Sequence, residues 1–152
     1  IPIVSLVDEP GFLIGPDAEK AGTILHGTQA VLATAESTVP WSTVMIRKSF
    51  GVAAAAHYGP DGYVLAWPSA ESGPLPLEGG VAVAFKKEIA EADDPEAKRK
   101  ELEEKMAKNQ NPFPRAEAFS VHEIIDPRET RKYISLWAER IQSQLRANLV
   151  KR

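Results

Sequence analysis

The chain has 152 residues, 43% of them hydrophobic and 26% charged, with a net charge of −3 at neutral pH. That balance suits one globular domain with a real core. The absence of cysteine excludes disulfides, thiolate nucleophiles and zinc–thiolate sites, and the charge offers no footing for nucleic acid or an anionic membrane.

Ile1 to Val7 is short, apolar and β-branched, and "DEPG" stops it. It reads as a buried core strand ending in a turn. No signal peptide precedes it; a start inside a buried strand, without an initiator methionine, leads to the expectation of a piece of a longer protein or a domain whose other half lies elsewhere. Pro16 and Asp17 suit the first turn of a helix. Ala18, Ala21, Ile24 or Leu25, Thr28, Val31 or Leu32, and Ala35 then predict one apolar face on a helix over 17–36. "VPWSTVMI" is a second strand. A helix-like Gly51–Tyr58 follows, then a turn at 59–62 and a third strand, "YVLAW". Strands alternating with helices imply parallel pairing and right-handed crossovers.

"SAESGPLPLEGG" holds too many breakers for a regular element. Gly79 and Gly80 open a helix to about Glu91. Asp93, Asp94 and Pro95 start another, polar nearly all round, with Ala97, Leu102 and Met106 facing inward. It reads as a solvated surface helix laced by ion pairs. "NPFP" ends it, and "AEAFSVHEIIDP" is an apolar connector of unassigned structure. Thr130 to about Asn148 is a final helix with a stripe of Tyr133, Ile134, Trp137, Ile141, Leu145 and Leu149. No apolar run approaches membrane-spanning length.

Side chains offer little chemistry. His26, His57 and His122 have no metal-ligand spacing. Ser49 lacks a nucleophile-elbow context, and neither a Walker loop nor a dinucleotide fingerprint occurs. Asp8 and Glu9 could form a catalytic acid pair, but polar caps of a turn are the favoured reading. What remains is backbone. Gly11, Gly51 and the pair Gly79–Gly80 each lie between a predicted strand or loop and a helix. A helix start presents unpaired N–H groups, and two of them aimed at one oxygen form an oxyanion hole. Tight helix–strand packing explains any single glycine equally well, so the pattern alone leaves both readings open.

"VDEPGF", "RKSFG", "AWPSAE", "EGG" and "NPFP" occur in that order. The ordered set resembles the carboxyltransferase (beta) subunit of biotin-dependent acyl-CoA carboxylases, the propionyl-, acetyl- and methylcrotonyl-CoA carboxylase family. The likeness runs from Ile1 to about the last helix. It implies an α/β crotonase-like (ClpP/crotonase) spiral of ββα units. Residues 1–152 would be the C-terminal part of the second crotonase-like domain, with the N-terminal domain absent. The implied function is transfer of a carboxyl group from carboxybiotin to the α-carbon of an acyl-CoA. Val52 and Ala53 would contribute backbone amides to the biotin-side oxyanion hole, with Gly51 allowing the turn and Ala55 leaving space for the acyl group. Gly11, Phe12, Gly79 and Gly80 would wall the site.

The family pattern is broken at Val52, where a glycine is expected, and at Leu75–Pro76, where Met-Gly is expected. The segment before "YVLAWP" is also shortened. No biotin-attachment sequence is present, so biotin would ride on a separate carrier protein or domain, and no metal is expected. Implied partners are an acyl-CoA, the biotin carboxyl carrier, the biotin carboxylase chain and further copies of the subunit in a hexamer. The implied compartment is the cytoplasm, or the mitochondrial matrix in a eukaryote. The alternatives are a non-catalytic assembly module of such a complex and a biotin-dependent decarboxylase subunit.

Overall fold

The computed structural model describes residues 1–150, apart from the side chains of residues 78, 144 and 147–150. Its centre is a parallel sheet of β1 (Ile3–Glu9), β2 (Trp41–Phe50), β3 (Tyr63–Ala66) and β5 (Glu123–Ile124), in that spatial order. A short β4 (Glu71–Gly73) pairs with the far end of β2, Lys48 to Phe50. All the pairings are parallel, as alternating strands and helices require.

The register assigns the two faces. Val44 lies opposite Leu65, and both pack with Ile125 beneath Tyr133 and Ile134 of the last helix, α8 (Thr130–Val150). Met45 lies opposite Ala66 on the other face, packed with Val64, Ala70, Val121 and the ring of Tyr58. Covered faces on both sides suit the apolar runs at 44–46 of β2 and 63–66 of β3. Trp137 and Ile141 of the expected α8 stripe are buried; the side chain of Leu149 is among those not described. The Trp67 indole donates to the Thr130 hydroxyl at 2.9 Å, pinning the start of α8 to the sheet.

Several expectations are corrected. β1 is an edge strand, not a core strand. Among the described residues β1 pairs only with β2, and its faces are incompletely covered: Val7 is buried, but Ile3, Val4 and Leu6 are exposed. The helix expected over 17–36 is two helices, α1 (Pro16–Lys20) and α2 (Thr23–Ala35). Gly22 adopts φ +73 between them, a left-handed turn that a continuous helix cannot contain. Ile24, Leu25 and Leu32 of the expected inward face are exposed, and Thr34 is the buried residue of α2.

The breaker-rich "SAESGPLPLEGG" does hold a strand, β4, recruited by the free edge of β2. The helix expected from Gly79 starts earlier, as α4 (Leu77–Ala84), and a break at Phe85 separates α5 (Lys86–Ala90). α6 (Pro95–Ala107) is capped by the Asp94 carboxylate, which accepts from the Glu96 and Ala97 amides. Leu102 is its buried residue, whereas Ala97 is exposed. Lys98 pairs with Glu88 and Glu101, and Arg99 with Glu103, as a solvated helix implies. "NPFP" opens a short helix, α7 (Phe113–Glu117), and the unassigned connector supplies β5. No helix among the described residues is long and apolar enough to cross a membrane.

Candidate functional site

In parallel sheets, ligand crevices form beyond the carboxyl ends of the strands. Here the carboxyl ends of β1, β2 and β4 open onto one cavity of about 860 Å³. Gly11 and Phe12 reach it from the loop after β1. Gly51, Val52 and Ala53 reach it from the helix after β2, α3 (Gly51–Ala55). The Pro74–Pro76 turn after β4 forms another wall, with Gly79, Gly80 and Val83 of α4. Seven of the eight residues singled out in the sequence therefore line one space. Ala55 lies outside the lining, because it is at the far end of α3.

α3 begins where β2 stops. Gly51 turns the chain with φ +65, a conformation that side chains with a Cβ rarely adopt. Phe50 provides no side-chain cap, so the amides of the first turn have no intrahelical partner and none from that cap. Ala53 and Ala54 are buried, whereas Val52 is 66% exposed at the cavity.

The other end of α3 is tied down. The Ala56 carbonyl accepts from the Thr34 hydroxyl at 2.9 Å. The His57 carbonyl accepts from the Thr43 hydroxyl at 2.7 Å and the Trp41 indole at 2.9 Å. The Ser49 and Tyr58 hydroxyls bond at 2.7 Å, and burial pushes the Tyr58 phenol above its usual range.

Three expected features are placed differently. Gly11 does not start a helix: α1 begins at Pro16, and the Gly11 amide donates to the Glu9 carboxylate at 2.9 Å. Gly79 and Gly80 lie inside α4 rather than at its opening. Asp8 is more than a turn cap. Its carboxylate takes two bonds from the Arg47 Nε at 3.0 Å and an ion pair from the same guanidinium at 2.9 Å. The Lys48 amide adds a fourth contact at 3.3 Å. The bond to Arg47 holds the Asp8 carboxyl below the usual carboxylate range.

The histidines are dispersed. His57 Nδ1 meets the Ser5 hydroxyl, His122 Nδ1 accepts from the Val64 amide, and His26 lies beside Gln29. Among the described residues no group of three or more metal-ligating side chains converges. Sequence reasoning missed Ile14, Ile24 and Thr28 as lining residues and Gln110 behind the wall. The exposure of Ile24 on an otherwise apolar helix face is legible only once the cavity is present.

The carboxyl transferase domain model matches residues 1–152. The chain is 43% identical over 136 residues to the propionyl-CoA carboxylase carboxyltransferase subunit of Haloferax mediterranei, covering 86% of this chain and 26% of that protein. It is 43% identical over 139 residues to the methylmalonyl-CoA carboxyltransferase 12S subunit of Propionibacterium freudenreichii subsp. shermanii, covering 89% and 26%. Among solved structures, the transcarboxylase 12S hexamer with methylmalonyl-coenzyme A bound superposes with a TM-score of 0.81 at 42% identity, over 94% of this chain and 28% of that one. The chain thus spans about a quarter of the length of these relatives. Its parallel α/β architecture is the crotonase-type fold of those carboxyltransferases. With its whole length matched and its sheet shared, the chain belongs to the carboxyl transferase domain family.

Proposed function

We propose that this chain forms the biotin-side half of a carboxyltransferase site that acts on an acyl-CoA. One observation carries the reading: the first turn of α3 borders a mostly apolar cavity into which three strand ends open. Apolar walls from Phe12, Leu75 and Val83 suit a fused aliphatic ring system, and first-turn amides suit a developing oxyanion. The donor set therefore fits biotin, which supplies the transferable carboxyl group when it is bound.

The roles of this chain follow from its geometry. Gly51 turns the backbone into α3, whose Val52 and Ala53 line the cavity, and in this reading their amides are the donors. These amides stabilise charge at an oxygen and move no proton; the α-proton displaced from the acyl-CoA would be taken up by biotin itself, so no side-chain base is needed. The ties at Ala56 and His57 hold the helix against the sheet while charge develops. The Val52 side chain narrows the approach, and its N–H is unaffected. Phe12 and the Pro74–Pro76 turn exclude water from the ring.

In this reading residues 1–152 are the C-terminal part of the second crotonase-like domain. The acyl-CoA side comes from a first such domain. Biotin arrives on a carrier chain loaded by a biotin carboxylase chain, and the subunits assemble as hexamers in the cytoplasm or mitochondrial matrix.

The test uses the full-length subunit in its assembly. At the third position of α3 proline deletes one N–H that has no intrahelical acceptor, so no internal helix bond is lost. Ala53→Pro should lower carboxyl transfer by about 10²- to 10³-fold, the loss typical of an oxyanion donor, with a folded state verified by thermal melting. Val52→Gly, which keeps the amide and widens the approach, should retain transfer. Undiminished transfer in Ala53→Pro overturns the oxyanion reading and favours a purely assembling role.

A further inference from the structure

The Pro74–Pro76 turn is short of its own means of support. Two of its three residues are prolines and lack an N–H, so most of its hydrogen bonding must come through its carbonyls, with donors from elsewhere. The donor is Gln110, a buried residue in the turn between α6 and α7. Its side-chain amide donates to the Leu75 carbonyl at 2.9 Å. Its backbone carbonyl accepts from the Ser72 amide at 2.7 Å. One residue thus holds the chain on both sides of Gly73 and Pro74.

The opposite side of the turn is pressed against two glycines. A Cβ at Gly51 would lie 3.5 Å from the Pro74 carbonyl oxygen, which is ordinary contact. A Cβ at Gly80 would lie 2.9 Å from the Leu75 Cβ, closer than real Cβ atoms approach. Leu75 has no slack toward α4, and Gln110 holds it from behind. Gly51 starts α3, so the position of this turn sets the gap in front of the first-turn amides.

We propose that Gln110 is a positioning residue: by holding the Leu75 carbonyl it fixes the width of the cavity that faces Val52 and Ala53. The inference rests on the biotin-side reading above. Gln110 touches no ligand in this scheme and acts through the Pro74–Pro76 turn.

The full-length subunit in its assembly is assayed for carboxyl transfer from a carboxylated acyl-CoA to free biotin, which returns the acyl-CoA and carboxybiotin, with both Michaelis constants measured. Gln110→Leu keeps the bulk and removes the donor. It should raise the KM for biotin by about two- to tenfold, the scale of one lost hydrogen bond, and leave kcat nearly unchanged. Gly80→Ala presses on Leu75 from the other side and should raise the same constant. The double variant should raise it by less than the product of the two, since both act on one turn.

Gln110→Asn keeps an amide with a shorter reach; it and Gly80→Ala carry the test if Gln110→Leu does not fold. A biotin KM unchanged in the folded variants, with activity falling only as thermal melting reports less folded enzyme, overturns the positioning role. A rise confined to the acyl-CoA constant keeps the positioning role and overturns the biotin-side reading. The second outcome is independent of the Ala53→Pro result, so the two failures are distinguishable.

Discussion

Gly27 places Phe12. A Cβ on Gly27 would fall 2.3 Å from the Phe12 ring, so the ring lies directly on the backbone of α2 and is held at the cavity wall by a missing side chain. Asp8 does comparable work with charge, joining the end of β1 to Arg47 on β2. Its carboxyl is held below its ordinary value of 3.8, first by the bond to Arg47. A depressed folded value means the stabilisation is present above the ordinary value and is lost as pH falls through the folded one. Asp8→Asn should therefore melt at a lower temperature than the parent at neutral pH, and the gap should narrow as pH falls below the ordinary carboxyl value of 3.8. Melting curves of both proteins across that range check the sign. In the sequence Asp8 reads as a turn cap, because nothing near it identifies a cation 39 positions later.

At the scale of elements, α3 has five residues, fewer than an isolated helix needs. Side chains of other elements compensate by binding the carbonyls after its end: Thr34 from α2, and Trp41 and Thr43 from β2. Thr43→Val keeps the shape and deletes one donor to the His57 carbonyl. It should cost about 0.5–1.5 kcal/mol in urea unfolding, since the Trp41 indole still serves that oxygen. Adding Trp41→Phe leaves the oxygen without either donor, and the combined loss should exceed the sum of the two. Thr43 was not legible as an anchor, because a threonine in a strand is ordinary and its partner lies 14 residues away. β4 was hidden for a similar reason. Its three residues carry no strand pattern, and their pairing comes from the edge that β2 offers at Lys48–Phe50.

At the scale of the whole molecule, the exposed edge stands out. Leu6 lies in register with Val44, on the face that α8 covers further along the sheet, yet Leu6 is 57% exposed. With Val4 it leaves an apolar strip beside the open hydrogen-bonding groups of β1, the arrangement that invites further pairing. The 152-residue chain by itself should self-associate with rising concentration in sedimentation velocity. Leu6→Lys, a charge on that strip, should shift it toward monomer; equal association of both proteins would locate the contact elsewhere.

The sequence by itself determined the alternation of strands and helices, the ordered motifs that mark the family, and Gly51 as the turn into α3. Those features depend on neighbours along the chain: side-chain periodicity, breakers, and a φ that glycine alone adopts freely. Only the tertiary structure decided that β1 lies at an edge and that α2 turns Ile24 and Leu25 outward. It also decided that Gly11, Gly51 and Gly80 meet at one cavity, and that Gln110 stands behind its wall. Burial and hydrogen-bond partners depend on which surfaces close against each other, and residues far apart in the chain carry no local trace of that closure.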